Sequence, residues 1–593
     1  MNSTVEPETT TFGTDGGGGD GERGISPWLD RPWVTAAFIS ILPIAVLLIL
    51  RTTPYFRLNN GDPFIYTGYA NDFRNHVERF GYTYHSVRFG LIFPLKISMA
   101  FGPFWGYFIL RYGLYIATTG SIYFALKPLG RRIGILGAIL FVANPVSAEA
   151  IMTTHPDTIV VPFFTISFSL AVIAIRHRGW RLAAYAAGAG LCSGLALNAN
   201  IFYGPLLLLT ALLPCAVLLR DRRVGDSVRF VAAYGVSAAA VCIVGMWVYY
   251  DMFGEWNIYE TTFRAVNDIS GDEMWESPYL GWLTTRRFIY APLFAVAFGG
   301  LCIYRSWRAK AEICSEQLVI LGLVALALVY YLVYQFVLGG SSLELSYYFS
   351  YMIGPVCVLV AASAAWSSSA RRMPLWLIAT VPIALAYGSQ LLEVANFAVF
   401  LAVIMMLVTV VVIRPAMHTA LLVFAAMSIA WASSPRDIRY PANVGFQYEP
   451  HYEDAFGDVN DDGFEAYMLA SKLPSFVPAD PNRIVPLLFW YRSFDAMLDS
   501  IQASYHWETS TVQRIPAAGM PEITPDDLIR LRSLVGGFVV MVARTETEID
   551  AGVATLRNAG FDIAPSAAPQ RMQEGDSTIF VLAVGIIGAP PLR

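Results

Sequence analysis

Between two segments apolar enough to sit in lipid, the run from Asn59 to Pro94, NNGDPFIYTGYANDFRNHVERFGYTYHSVRFGLIFP, holds carboxylates, histidines, arginines and tyrosines. Ionisable groups at a membrane boundary read first as functional. The chemistry these types allow is proton abstraction by a carboxylate beside cations that hold an anion. Asp62 precedes Pro63, a pairing that reads as an N-cap followed by proline at the first helical position. From Ile65, apolar or aromatic residues recur at Tyr69, Phe73, Val77 and Phe80, while Asp72, Arg74, Asn75, Glu78 and Arg79 take the other face. That spacing predicts a helix lying in the interface plane. It would leave Asp62 where membrane and water meet, in reach of both a lipid headgroup and a soluble acceptor. A second carboxylate, Asp157, sits with His155 in the Lys- and Arg-free stretch TTHPDT. Capping the following span and taking part in chemistry are both open to it.

The elements that position these residues are membrane spans. The chain has 593 residues, 55% of them apolar and only 14% charged, with a mean hydropathy of +0.50. Those values place it outside the soluble globular class, and nothing in them points to nucleic acid as a partner. Thirteen stretches have the length and apolarity of a span, near residues 33–50, 104–126, 133–149, 158–175, 182–199, 202–219, 229–249, 288–304, 317–337, 349–366, 374–390, 396–413 and 417–432. Alternate short connections carry the basic residues: Lys127, Arg131 and Arg132; Arg176, Arg178 and Arg181; Arg220, Arg222, Arg223 and Arg229; Arg305, Arg308 and Lys310; Arg371 and Arg372; Arg414. The opposite short connections, around 150–157, 198–204, 338–348 and 390–395, contain no Lys or Arg. The positive-inside rule then predicts a cytoplasmic N-terminus, outer loops at 51–103 and 250–287, and an extracytoplasmic C-terminal part in a bacterial inner (plasma) membrane.

The expected organisation is a polytopic α-helical membrane protein with a small C-terminal α/β domain: a disordered tail over 1–30, a transmembrane region over 31–432 and an outer domain over 433–593. The tail, with GTDGGGGDGERG at its centre, has too little apolar surface to offset the entropy of ordering. In the last part, RIVPLLFWY, GGFVVMVA and STIFVLAVG read as strands, and SFDAMLDSIQASY, PDDLIRLRSLV and EIDAGVATLRNAG as helices. Asp458, Asn460, Asp462 and Gly463 fit the start of a calcium loop, but Leu469 stands where its glutamate belongs, which favours a solvated acidic loop. All six cysteines lie in or beside the apolar portion, which argues against a disulfide framework.

Taken together, four stretches resemble the GT-C superfamily of integral-membrane glycosyltransferases, in the branch of lipid A aminoarabinose transferases and protein O-mannosyltransferases. They are GDPFIYTGYA after the first span, VRFGLIFP with its R-x-G-x-x-x-P spacing, NPVSAEAIMTTHPDTIVVPFFTISF, and GLCSGLALNANIFYGPLLLL. The resemblance covers about residues 33–340. At the position where many members carry a lysine, this chain has Asn200.

The resemblance implies transfer of a sugar from a polyprenyl-phosphate donor to a hydroxyl of a glycan, lipid or protein acceptor, with inversion at the anomeric carbon. Asp62 matches the family's loop-one aspartate and is the implied base. It can cap a helix with one oxygen and face the acceptor with the other. Asp157 and His155 are assigned to the acceptor, or to a divalent cation shared with Asp62; no other cofactor is called for, and metal dependence stays open. Arg88, His85 and Lys96 are the cations nearest the base and are assigned to the donor phosphate, Arg88 foremost because its fork suits phosphate oxygens. Attraction to anionic membrane lipids competes with that role. Tyr66, Glu344, Asn200 and Tyr203 are assigned to the substrate pocket, against interface anchoring for the tyrosines and a turn role for Asn-Ala-Asn. A transporter or flippase of lipid-linked saccharides is the alternative. It calls for internal repeats and mid-bilayer charge, and Arg111, inside the second span, is the main residue in its favour. A third reading is a scaffold acting through 433–593.

Overall fold

The computed structural model describes residues 32–49, 85–101, 103–142, 144–152, 156–254, 290–308, 312–337 and 350–366 of the apolar portion, and 485–491, 512–519, 531–565, 568–574 and 577–591 of the polar portion. Scattered positions between these are also described, among them Tyr66, Gly68, Tyr69, Ala70, Phe73, Val77 and Ile258–Glu260. The spans expected at 374–390, 396–413 and 417–432, the acidic loop at 458–463 and the helix expected over 494–506 lie outside them.

The apolar portion is a helical bundle of α1 (Pro32–Ile49), α2 (Phe89–Met99), α3 (Pro103–Leu126), α4 (Arg131–Val142), α5 (Pro145–Met152), α6 (Asp157–Ile175), α7 (Gly179–Ala199), α8 (Gly204–Arg220), α9 (Val224–Phe253), α10 (Tyr290–Arg308), α11 (Ser315–Phe336) and α12 (Ile353–Trp366). Among the described residues, five helical runs are long and apolar enough to cross a membrane: α6, α7, Ile201–Arg220, α9 and α11. Their surroundings differ. The spanning window of α6 is 83% buried and that of α9 only 17%, so α6 is the central post and α9 the periphery. The exposed face of α9 presents Val228, Val236, Ile243, Val244 and Trp247, the apolar surface that lipid requires.

Two expectations change. The span expected over 133–149 is two helices, α4 of 12 residues and α5 of 8. At 1.5 Å per residue, α4 is about 18 Å long and cannot cross the hydrocarbon core by itself. The break falls at Asn144-Pro145: proline occupies the first position of α5, and Asn144 Oδ1 accepts from Ser147 N at 3.4 Å as an N-cap does. The loop expected over 51–103 contains α2, whose Phe89, Leu91, Ile92 and Leu95 are buried in the bundle. Upstream of it, Tyr69, Phe73 and Val77 are helical and buried, as their spacing predicts.

The antiparallel course of α6 through α9 sorts the connections to two ends. At one end the basic turns are tied to one another. Arg176 pairs with Glu316 at 2.7 Å, and Arg220 reaches Asp221 and Ser315. Arg223 grips Asp226 through Nε and Nη2 while donating to the carbonyls of Ile175, at 2.6 Å, and His177. One guanidinium thus closes the last turn of α6, and Asp226 accepts from Gly179 N at the start of α7. Burial and the charges of Arg181 and Arg176 hold the His177 imidazole below its ordinary pKa. Arg222 is left-handed, φ 58°, at the end of α8. The bonds Arg222 N to Leu219 O and Arg223 N to Leu218 O make the helix-ending turn in which glycine is usual. A side chain there costs about 1 kcal/mol. Arg131 bonds Thr35 at the head of α1, so the chain enters the bundle at this basic end.

Helix packing inside the bundle relies on small residues, as expected where lipid and core are equally apolar. A Cβ on Gly190 of α7 would stand 2.1 Å from the Tyr234 carbonyl oxygen of α9. Beside this contact Ser193 Oγ joins Ser167 Oγ at 2.8 Å, Tyr203 OH at 3.0 Å and Tyr234 OH at 2.6 Å. Three helices and the 3-10 turn Ile201–Tyr203 share this hydroxyl cluster.

The polar portion contains β1 (Val485–Tyr491), β2 (Val512–Gly519), β3 (Phe538–Ala543), α13 (Glu546–Asn558), β4 (Asp562–Pro565), β5 (Gln570–Glu574) and β6 (Ser577–Gly588). The sheet order is β2-β1-β3-β6-β4, with β5 also on β6; β1 is parallel to β2 and β3, and β6 is antiparallel to its neighbours. α13 opens with a capping box between Thr545 and Glu548. It packs Ile549, Val553 and Leu556 with Trp490, Met541 and Leu582. The strands expected in RIVPLLFWY, GGFVVMVA and STIFVLAVG are β1, β3 and β6. β2 was not expected, since Pro516 interrupts it. It is an edge strand whose pairing with β1 shifts register between Leu488 and Trp490, the setting in which a strand tolerates proline.

Candidate active site

Opposite the basic end, the expected site residues fall on the ends of α2, α6 and α7. The turn 85–87 leads into α2, with Arg88 N donating to His85 O at 3.3 Å and Arg88 O accepting from Leu91 N and Ile92 N. Arg88 is therefore held by its own backbone at the mouth of the helix. Its guanidinium carbon is 5.8 Å from the centre of the Tyr66 ring, and the His85 ring is 5.3 Å from the same ring. Tyr66 is fully buried, while Arg88 and His85 are half-buried. Three of the expected residues thus form one cluster of a cation, an imidazole and a phenol. Lys96 does not join it: it is exposed in the last turn of α2, about 12 Å along the axis from Arg88 at 1.5 Å per residue.

α2 reaches this place by lying directly on α7. Phe89 stacks towards Tyr249 of α9, ring centres 6.4 Å apart, and Gly90 meets the backbone of the last turn of α7. Asn198, in that turn, donates to Gly194 O at 2.9 Å. Asn200 has both of the roles open to it. Its Oδ1 accepts from Phe202 N at 3.1 Å and caps the 3-10 turn, and its Nδ2 donates to Tyr351 OH at 2.8 Å, tying α7 to the chain just before α12. Phe202 is wrapped by aromatic rings of α11, with Tyr331 at 5.4 Å and Tyr334 at 4.9 Å, and its carbonyl accepts from Tyr330 OH. Tyr203 is fully buried in the serine and tyrosine cluster with Phe164 edge-on at 5.2 Å, so it braces the bundle.

Asp157 is fully buried as the first residue of α6. The connection before it is fastened from both sides: Thr158 Oγ1 donates to Ala150 O at 3.2 Å, and Arg111 Nη1 donates to Met152 O at the end of α5. Arg111 is 1% exposed, so the charge that favoured a transporter stands against the carbonyl end of a helix, where a cation is favoured. Asp62, His155 and Glu344 lie outside the described residues. Among the described residues no group of three or more His, Cys, Asp and Glu could hold a metal ion.

Sequence reasoning did not single out Tyr351 or the ring cluster around Phe202. Tyr330, Tyr331 and Tyr334 repeat at helical spacing at the end of a span, a signal for the cluster; nothing local marks Tyr351, 151 residues from its partner.

The chain is similar to two solved structures. One is ArnT from Cupriavidus metallidurans in the apo state, 12% identical, with a TM-score of 0.49 over 94% of this chain and 100% of that one. The other is the archaeal oligosaccharyltransferase AglB from Archaeoglobus fulgidus in complex with an inhibitory peptide and a dolichol-phosphate. It is 13% identical, with a TM-score of 0.38 over 87% of this chain and 70% of that one. No family model and no curated protein matches the sequence.

Proposed function

We propose that the chain is a membrane glycosyltransferase of the GT-C type. It moves a sugar from a polyprenyl-phosphate donor to a hydroxyl of a cell-envelope glycan, lipid or protein, at the outer face of a bacterial inner membrane. Asp62 takes the hydroxyl proton as the acceptor oxygen attacks the anomeric carbon. The carbon–oxygen bond to phosphate breaks, and its electron pair leaves with the polyprenyl phosphate, whose charge Arg88 and His85 receive. Asp157 orients the acceptor. The N-terminus and the basic turns face the cytoplasm, and residues 433–593 lie outside.

The observation that supports this most is the gathering of Tyr66, His85 and Arg88 into one cluster at the end away from the basic turns. Asp62 precedes Tyr66 by four residues, so their Cα atoms are at most about 14 Å apart whatever path the chain takes. Base and phosphate cation are therefore neighbours, as an inverting displacement on a lipid phosphate requires. Arg111, already committed to Met152, gives the flippase alternative no separate support.

Mass analysis of lipids extracted from the purified protein tests the donor class. The expected result is a polyprenyl phosphate, free or carrying a hexose or pentose, enriched over the membrane from which the protein came. Extracts holding bulk phospholipid alone would count against this function.

A further inference from the structure

We propose that Gly90 is the positioning residue that sets Arg88 over Tyr66; the functional part of this inference rests on the donor-phosphate reading of Arg88. A Cβ built on Gly90 would stand 2.2 Å from Leu195 O, 2.5 Å from Ala199 N and 2.9 Å from Asn198 C. All three are backbone atoms of α7, so no rotamer change can make room, and a methyl group must push the two helices apart. The neighbouring Phe89 fits beside Gly245 and Tyr249 of α9. The head of α2 is thus seated in a notch between α7 and α9 that only a residue without a side chain can enter. Arg88 is two residues before the contact, and its carbonyl accepts the first bonds of α2. Displacement of the helix head therefore carries Arg88 with it.

A second contact of the same kind separates positioning from plain packing. A Cβ on Gly106 of α3 would meet Ser98 O of α2 at 2.5 Å and Met99 Cα at 2.8 Å. Gly106 clamps the tail of α2, about 15 Å along its axis from Arg88. Gly90→Ala and Gly106→Ala both force α2 off a helix backbone, but at opposite ends. Gly235→Ala, where nothing lies within 4 Å, serves as the neutral control.

The test uses full-length protein in detergent micelles with 3-fluorotyrosine at position 66, together with binding of a long-chain polyprenyl monophosphate. Gly90→Ala should shift the fluorine resonance in the direction that Arg88→Ala shifts it and weaken lipid binding at least about 10-fold, the loss of one charge-assisted contact. Gly106→Ala should leave the resonance in place and change binding by less than about 3-fold, even where both variants lower the melting temperature alike. An unchanged fluorine resonance in Gly90→Ala, or equal shifts in the two glycine variants, overturns the positioning role. A shifted resonance in a protein whose wild type does not bind the lipid keeps the positioning role and rejects the donor reading instead.

Discussion

Arg88→Ala is expected to slow sugar transfer about 10²- to 10³-fold, the usual loss when one donor aimed at developing charge is removed. The departing phosphate gains negative charge as the glycosidic bond breaks, and the only described arginine in the Tyr66 and His85 cluster is this one. Arg88→Lys should fall between, because an ammonium supplies charge without the two-pronged geometry. Stability should change little. The side chain is half-buried, and the ring contact it makes with Tyr66 contributes about 0.5–1 kcal/mol. Single-turnover rates with a polyprenyl-phosphate sugar check this; a variant as fast as wild type would remove Arg88 from the reaction.

How far the sequence revealed this site follows from the range of each signal. Tyr69, Phe73 and Val77 were legible because burial on one helix face imposes a 3.6-residue period on neighbouring positions. The common end of the basic turns was legible because alternation along the chain becomes separation in space once helices run antiparallel. The two halves of the 133–149 stretch were not separated by hydropathy, which is equally high on both sides of Asn144-Pro145, although that dipeptide carries the stop and start signals itself. The seat of Gly90 on α7 was out of reach. It depends on two backbones more than 100 residues apart in sequence, and a glycine beside an arginine looks the same in a loop as in a close helix contact. The tie from Asn200 to Tyr351 escaped for the same reason.

Arg223→Ala should have the largest effect on stability among the basic residues, about 3 kcal/mol, in the range found when one partner of a largely buried ion pair is removed. Its guanidinium holds Asp226 and two carbonyls at the end of α6. Without it, Asp226 retains Arg229 at 3.4 Å and the Gly179 amide at 3.3 Å. Arg229→Ala, in which an exposed partner is lost, should change stability by less than about 1 kcal/mol. Thermal unfolding of both variants in the same detergent measures the contrast, and equal shifts would show that the basic end is a solvated surface and no fastening. Neither change should alter the ratio of donor to acceptor KM, since both lie at the far end of the bundle from Arg88.

Transfer of a radiolabelled sugar from polyprenyl phosphate by Asp62→Asn, compared with wild type at equal folded protein, addresses the chemistry itself. The amide keeps the capping oxygen and loses the base. The expected result is transfer reduced to the background of protein-free micelles, with lipid binding retained. Undiminished transfer by Asp62→Asn would contradict the account.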